Sequence, residues 1–304
     1  MSQTLILDRD ASPAIRITTK LLYEPEYQVR AQNQARAGTP VDSGSLTATI
    51  LSTLLLRIAS RTSFVLLGFY LGEHFTSATV VAVVLEAFYL SELALAPLVG
   101  SLSDRLGRKP FLLAAPLVAG GAALCLLAAT QLFPHPQMAP FDARPVLLLL
   151  LILGGRLLEG AATALNTPAS LGYISEATGS SERLRARVMT AFEVATVAGL
   201  ALAMPFGGKI SSLLGTWGFG VVLALHVING AIIARGLKES TRRQAQTSTR
   251  HSLMASLSII RFKRIFTFLP AWLSINALVG AWLTLCTIMP VSYTHLRAHE
   301  TGRN

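Results

Sequence analysis

Seven apolar stretches, each about the length of a membrane span, divide this chain. They fall at roughly 49–71, 78–102, 111–133, 145–168, 188–210, 219–237 and 266–290. A helix rising 1.5 Å per residue needs about 20 apolar residues to cross the hydrocarbon core. Inside lipid only helices and closed barrels satisfy their own backbone, and runs this long are too long for barrel strands. The pattern therefore predicts an all-α membrane protein. Composition agrees: 52% of the 304 residues are hydrophobic and 14% are charged, against about 25% charged in soluble domains.

The polar segments between the spans set an orientation. With the N-terminus placed in the cytosol, the inner segments carry nineteen Lys and Arg residues, while the outer loops carry Arg144 and Lys209 alone. Basic residues stay on the cytoplasmic side, so the N-terminus is expected inside, in the plasma membrane. The net charge of +10 is spread over short loops rather than one basic face, which argues against a nucleic-acid partner. Residues 1–48 read as a polar cytosolic extension. A basic Ser/Thr-rich linker follows the sixth span at 238–265, and the seventh span follows that. The tail 291–304 breaks with this composition and resembles translated sequencing-adapter read-through; a short periplasmic tail is the alternative. An odd span count that ends one helix past the linker reads as a truncated chain.

The two cysteines, Cys125 and Cys286, lie inside apolar runs as small hydrophobes. His295 and His299 have a helical ligand spacing, but no other ligands gather near them, so no metal is expected. No phosphate-binding glycine loop occurs, and neither a cofactor nor a catalytic constellation is visible.

One short segment, GSLSDRLGRKP at 100–110, concentrates charge between two apolar runs. Glycine suits the tight reversal between spans two and three, and Arg and Lys suit the headgroup region. The complete spacing, however, resembles the signature of the major facilitator superfamily, G-x-L-x-D-R-x-G-R-R/K. Gly100, Leu102, Asp104, Arg105, Gly107, Arg108 and Lys109 meet every position. Two further stretches are similar to elements of that family. Arg156 and Gly160 match R-x-x-x-G in span four. Gly199, Pro205, Gly207 and Gly208 resemble the Gly/Pro element of drug–proton antiporters in span five. There, Ala203 and Met204 occupy the usual Gly-Pro positions and the Pro-to-Gly-Gly spacing is one short, so this stretch points to the superfamily more than to the antiporter branch.

The resemblance implies a fold of two six-helix halves. This chain would hold the N-terminal six-helix half plus the first helix of the second. It also implies secondary active transport of a small solute by alternating access, with export of an organic compound against protons as the expected mode. Asp104 would dock at a cytoplasmic gate, with Arg105 and Arg108 as charge partners. A non-transporting membrane sensor or scaffold on the same fold is the alternative.

Charges at bilayer depth cost about 2.5–3.5 kcal/mol each on insertion scales, so they face cavities or partners. Arg57 and Arg61 share a face of span one. Glu86 and Glu92 lie in span two, Arg156 and Glu159 in span four, and Thr163, Asn166 and Ser170 extend the span-four stripe. The substrate or proton pathway is assigned to Arg61, Glu86, Arg156, Glu159 and Asn166. Structural pairing, of Arg156 with Glu159 or of Arg61 with Glu86, is the competing reading. Glu92 and Glu193 read as interfacial, and His226 and Asn229 as packing residues.

Overall fold

Six helices account for almost all of the described residues. The computed structural model describes residues 42–75, 77–133, 144–179 and 181–238, with two isolated helical positions at 274 and 278. The expected seventh span, most of the linker and the tail lie outside the described residues. The helices are α1 (Ser43–His74), α2 (Ala78–Leu106), α3 (Lys109–Leu132), α4 (Arg144–Ala177), α5 (Glu182–Leu214) and α6 (Gly218–Gly236). A single 3-10 turn, Gly215–Trp217, joins the last two. Without that turn, Glu182–Gly236 would be one apolar helix of 55 residues, far longer than a bilayer is thick. Gly215 ends α5 at a φ of 54°, and its N–H bonds to the Ser211 carbonyl.

Several helices run well past the apolar stretches. α1 covers 32 residues and α4 covers 34. Hydropathy marks only the hydrocarbon-facing part, whereas a helix continues until its end groups are satisfied some other way. The stopping points are local. Ser77 and Ser181 accept hydrogen bonds from Val80 N–H and Leu184 N–H at 3.4 Å, capping α2 and α5. Four helices contain an internal proline: Pro97, Pro116, Pro168 and Pro205. Membrane helices tolerate this where neighbouring helices re-satisfy the freed groups.

The helices pair as α1 with α5, α2 with α4, α3 with α4, α3 with α6 and α1 with α6. Exchanging α1 for α4, α2 for α5 and α3 for α6 converts α1–α5 into α4–α2 and α3–α4 into α6–α1. The same exchange returns α3–α6 to itself. The packing thus has the symmetry of two three-helix units, and because α1 and α4 run in opposite directions the units are inverted relative to each other. Parallel pairs confirm the alternation of directions: Gly199 meets Arg57 and Gly207 meets Val65 along α1–α5, while Gly160 meets Phe88 and Gly100 meets Pro168 along α2–α4.

Burial is the reverse of a soluble bundle's. Leu90, Leu117, Leu213 and Val227 are exposed around the outside, while Arg156, Glu159, Asn166, His226 and Asn229 are inside. The main apolar cluster includes Phe64, Leu67, Leu85, Leu126, Ile152 and Phe219. At the end where α1 begins and α6 finishes, Ser45 Oγ donates to the Gly236 carbonyl at 3.0 Å and accepts from Lys238 N–H at 3.1 Å. Lys238 Nζ reaches Asp42 at 3.1 Å, and with Ser45 it holds that carboxyl below the usual carboxylate range.

Candidate functional site

The centre of the bundle holds a buried ion pair. α4 places Arg156 and Glu159 one turn apart, so both side chains reach the same neighbours. Arg156 is 1% exposed and Glu159 0%. Arg156 Nη1 is paired with Glu159 Oε2, and its Nη2 donates to the Leu85 carbonyl of α2 at 2.7 Å. The guanidinium also lies 5.1 Å from the Phe88 ring centre and 5.4 Å from that of Phe64. Cation–π contacts of this kind are worth up to about 2 kcal/mol when desolvated. Three helices thus supply partners to one cation. Of the two pairings considered above, the structure contains Arg156 with Glu159.

Arg61 is held differently. Its Nη1 donates to the Tyr89 hydroxyl at 3.0 Å, and its guanidinium lies 5.2 Å and 5.4 Å from the Phe88 and Tyr89 ring centres. Phe88 therefore contacts both arginines. Glu86 is half-buried one turn before Tyr89 on α2. Asn166 Nδ2 is 3.4 Å from Thr53 Oγ1, which ties α4 to α1. The same stripe of α4 carries Thr163 and Ser170, whose buried hydroxyls have no hydrogen-bond partner among the described residues.

Arg57 belongs to this constellation, although the sequence pattern did not place it there. Its Nη2 donates to Thr167 Oγ1 at 3.2 Å, and its buried Nε has no partner among the described residues. Glu92 and Glu193 lie within electrostatic reach of it. The shared face with Arg61 was visible as a four-residue spacing. What was missing was α5: Gly199 lies 2.6 Å, by its would-be Cβ, from Arg57 Cβ, and this leaves the guanidinium directed toward α4.

The charged turn between α2 and α3 forms a second cluster. Gly107 has a φ of 96° and its N–H bonds to the Ser103 carbonyl at 3.1 Å, so α2 closes in a conformation that suits glycine alone. Arg108 is folded back into the protein. It pairs with Asp104, donates from Nε to Glu176 at 3.1 Å, and donates from Nη1 to Ser103 Oγ at 2.7 Å. A Cβ on Gly172 would overlap the Arg108 guanidinium, so α4 makes room for it. Asp104 and Arg105 are exposed, and Lys109 is half-buried. Glu176, 68 residues from Arg108, gave no sign in the sequence of belonging here. Of the Gly/Pro element, Gly199 and Gly207 lie at the α1–α5 contact, Pro205 is within α5, and a Cβ added to Gly208 would meet nothing within 4 Å. Among the described residues no group of three or more His, Cys, Asp or Glu side chains gathers to hold a metal.

A profile of the Major Facilitator Superfamily matches residues 49–301, most of the chain. Among curated proteins, none matches. Together with the long apolar helices, the family match identifies the protein's class: the chain belongs to the Major Facilitator Superfamily, and it is a multi-pass membrane protein of the small-solute transporter kind.

Proposed function

We propose that the protein is a secondary active transporter of the plasma membrane that exports an organic compound in exchange for protons, with its N-terminus in the cytosol. The observation that carries this reading is the Arg156–Glu159 pair. A carboxylate with no exposed surface, held by one guanidinium among aromatic rings, is a group that can take a proton when its partner is drawn away. Arg61, Glu86 and Asn166 extend the pathway around it. Phe88 contacts both Arg61 and Arg156, so movement of one cation is felt by the other. The cluster of Asp104, Arg105, Arg108 and Lys109 with Gly100 and Gly107 acts as the cytoplasmic gate. Arg108 is the movable element, since it is shared between Asp104 and Glu176.

Glu159→Gln tests the coupling. In proteoliposomes, the variant is expected to retain solute exchange while losing its response to an imposed pH gradient. Equal pH-driven transport by Glu159→Gln and the parent protein would remove Glu159 from the proton pathway.

The orientation is tested by labelling. In a background without Cys125 and Cys286, a cysteine at Ser77 should react with an impermeant thiol reagent added to intact cells. One at Ser181 should react only after the cells are opened. Both positions are exposed and lie just outside helix starts, so neither label disturbs packing. Labelling of Ser181→Cys from outside would invert the topology.

A further inference from the structure

We propose that the transported solute is an organic anion, a carboxylate or a group of similar fork-shaped geometry, and that Arg57 and Arg61 bind it. The inference rests on the transporter reading above and specifies the solute class. Two guanidiniums one turn apart on α1 face the α2 and α4 side of the bundle, where Tyr89 and Thr167 meet them. A guanidinium offers five N–H donors in a rigid plane that matches a carboxylate in two-point fashion. Here the hydrogen-bond acceptors of both cations are neutral hydroxyls, Thr167 Oγ1 for Arg57 and Tyr89 Oη for Arg61. Arg57 Nε, without accessible surface, has no acceptor among the described residues.

The surrounding charges leave this demand unmet. On α4, Glu159 is committed to Arg156. On α2, Glu92 lies within electrostatic reach of both Arg57 and Arg61, and on α5 Glu193 lies within reach of Arg57. Neither forms an ion pair with either arginine among the described residues. Glu86, also on α2, is half-buried. Glu92 and Glu193 moderate the field without filling the donors. An arriving carboxylate would supply the acceptors that Thr167 and Tyr89 supply in part. It would also relieve the repulsion between Arg57 and Arg61, whereas an organic ammonium would add to it. The Phe88 and Tyr89 rings, 5.2 Å and 5.4 Å from the Arg61 guanidinium, give the solute's apolar body a surface to lie on.

The test uses benzoate, benzamide and benzylamine, three probes of similar shape that are negative, neutral and positive. The purified protein in nanodiscs is melted over a concentration series of each. Benzoate is expected to raise the melting midpoint, with benzamide and benzylamine needing at least tenfold higher concentrations for any equal shift. Arg57→Gln and Arg61→Gln should raise the benzoate concentration for half-effect at least tenfold. Arg57→Lys and Arg61→Lys keep the charge but not the fork, and should give intermediate values; they carry the comparison if a Gln variant does not fold. No response to benzoate, an equal response to benzamide or benzylamine, or an unchanged benzoate response in the Arg variants overturns the proposal. Vesicle flux of the same probes separates it from the underlying function. Benzylamine crossing while benzoate neither binds nor crosses removes the anion assignment and leaves the transporter. Benzoate binding with none of the three crossing supports the anion site and removes transport.

Discussion

Arg156→Ala is expected to be among the most damaging single substitutions in the described helices. Among the described residues, the change removes the only ion-pair partner of Glu159, whose side chain has no exposed surface, and takes the donor from the Leu85 carbonyl. Breaking a buried ion pair by deleting one member costs about 3–5 kcal/mol, because the surviving charge stays desolvated and unpaired. For a domain of this size that corresponds to a fall of roughly 10 °C in the melting midpoint. A double replacement, Arg156→Met with Glu159→Leu, removes both charges together and should recover most of the loss, as apolar substitutes for buried pairs often do. Melting of the detergent-purified variants checks both halves. If Arg156→Ala melts with the parent protein, the pair contributes nothing to the fold. If the double variant is as unstable as the single one, the contacts of Arg156 to Phe64, Phe88 and Leu85 matter more than the charge balance.

Why the existence and order of the first six helices could be read from the sequence while their partners could not follows from what each depends on. Crossing a bilayer is a property of one segment, so a run of twenty apolar residues announces itself. α1–α5 and α2–α4 packing is a property of two segments, and the deciding residues are glycines whose neighbours are distant in sequence. The same division runs through the candidate site. Arg156 and Glu159 are three residues apart and so could be weighed as a pair from spacing alone. Arg61 contacts Tyr89 instead, 28 residues away, and nothing in a neutral tyrosine signals a cation partner. Arg108 with Glu176 and Arg57 with Thr167 are still more remote. The turn at 100–110 is the converse case. Its glycine at 107 is set by local backbone geometry, and local geometry is what a sequence pattern records.

Gly160→Ala should rank beside Arg156→Ala in its effect, through packing rather than charge. A Cβ at this position would overlap the Phe88 carbonyl oxygen and lie 3.0 Å from both the Phe88 carbonyl carbon and Ser91 Cβ. The obstacle is mostly backbone of α2, which cannot swing aside as a side-chain tip can, so α2 and α4 must part. Overpacking of a tight contact costs about 1–3 kcal/mol, sometimes more. Here the displacement also pulls α2, and with it the Leu85 carbonyl and the Phe88 ring, away from Arg156. The loss of close packing and the loosening of the buried pair therefore add. Gly154→Ala, on the same helix with nothing within 4 Å of its would-be Cβ, is the control. There, alanine's better helix propensity, about 0.8–1.0 kcal/mol over glycine, should leave stability equal or slightly higher. Folded yield and melting midpoint of the two variants, measured side by side in detergent, read the difference. Gly160→Ala is expected to melt several degrees below the parent and Gly154→Ala at or above it. Equal behaviour of the two would mean that α2 and α4 do not approach at Gly160 as closely as the structure places them, and that the hold of α2 on Arg156 must be sought elsewhere.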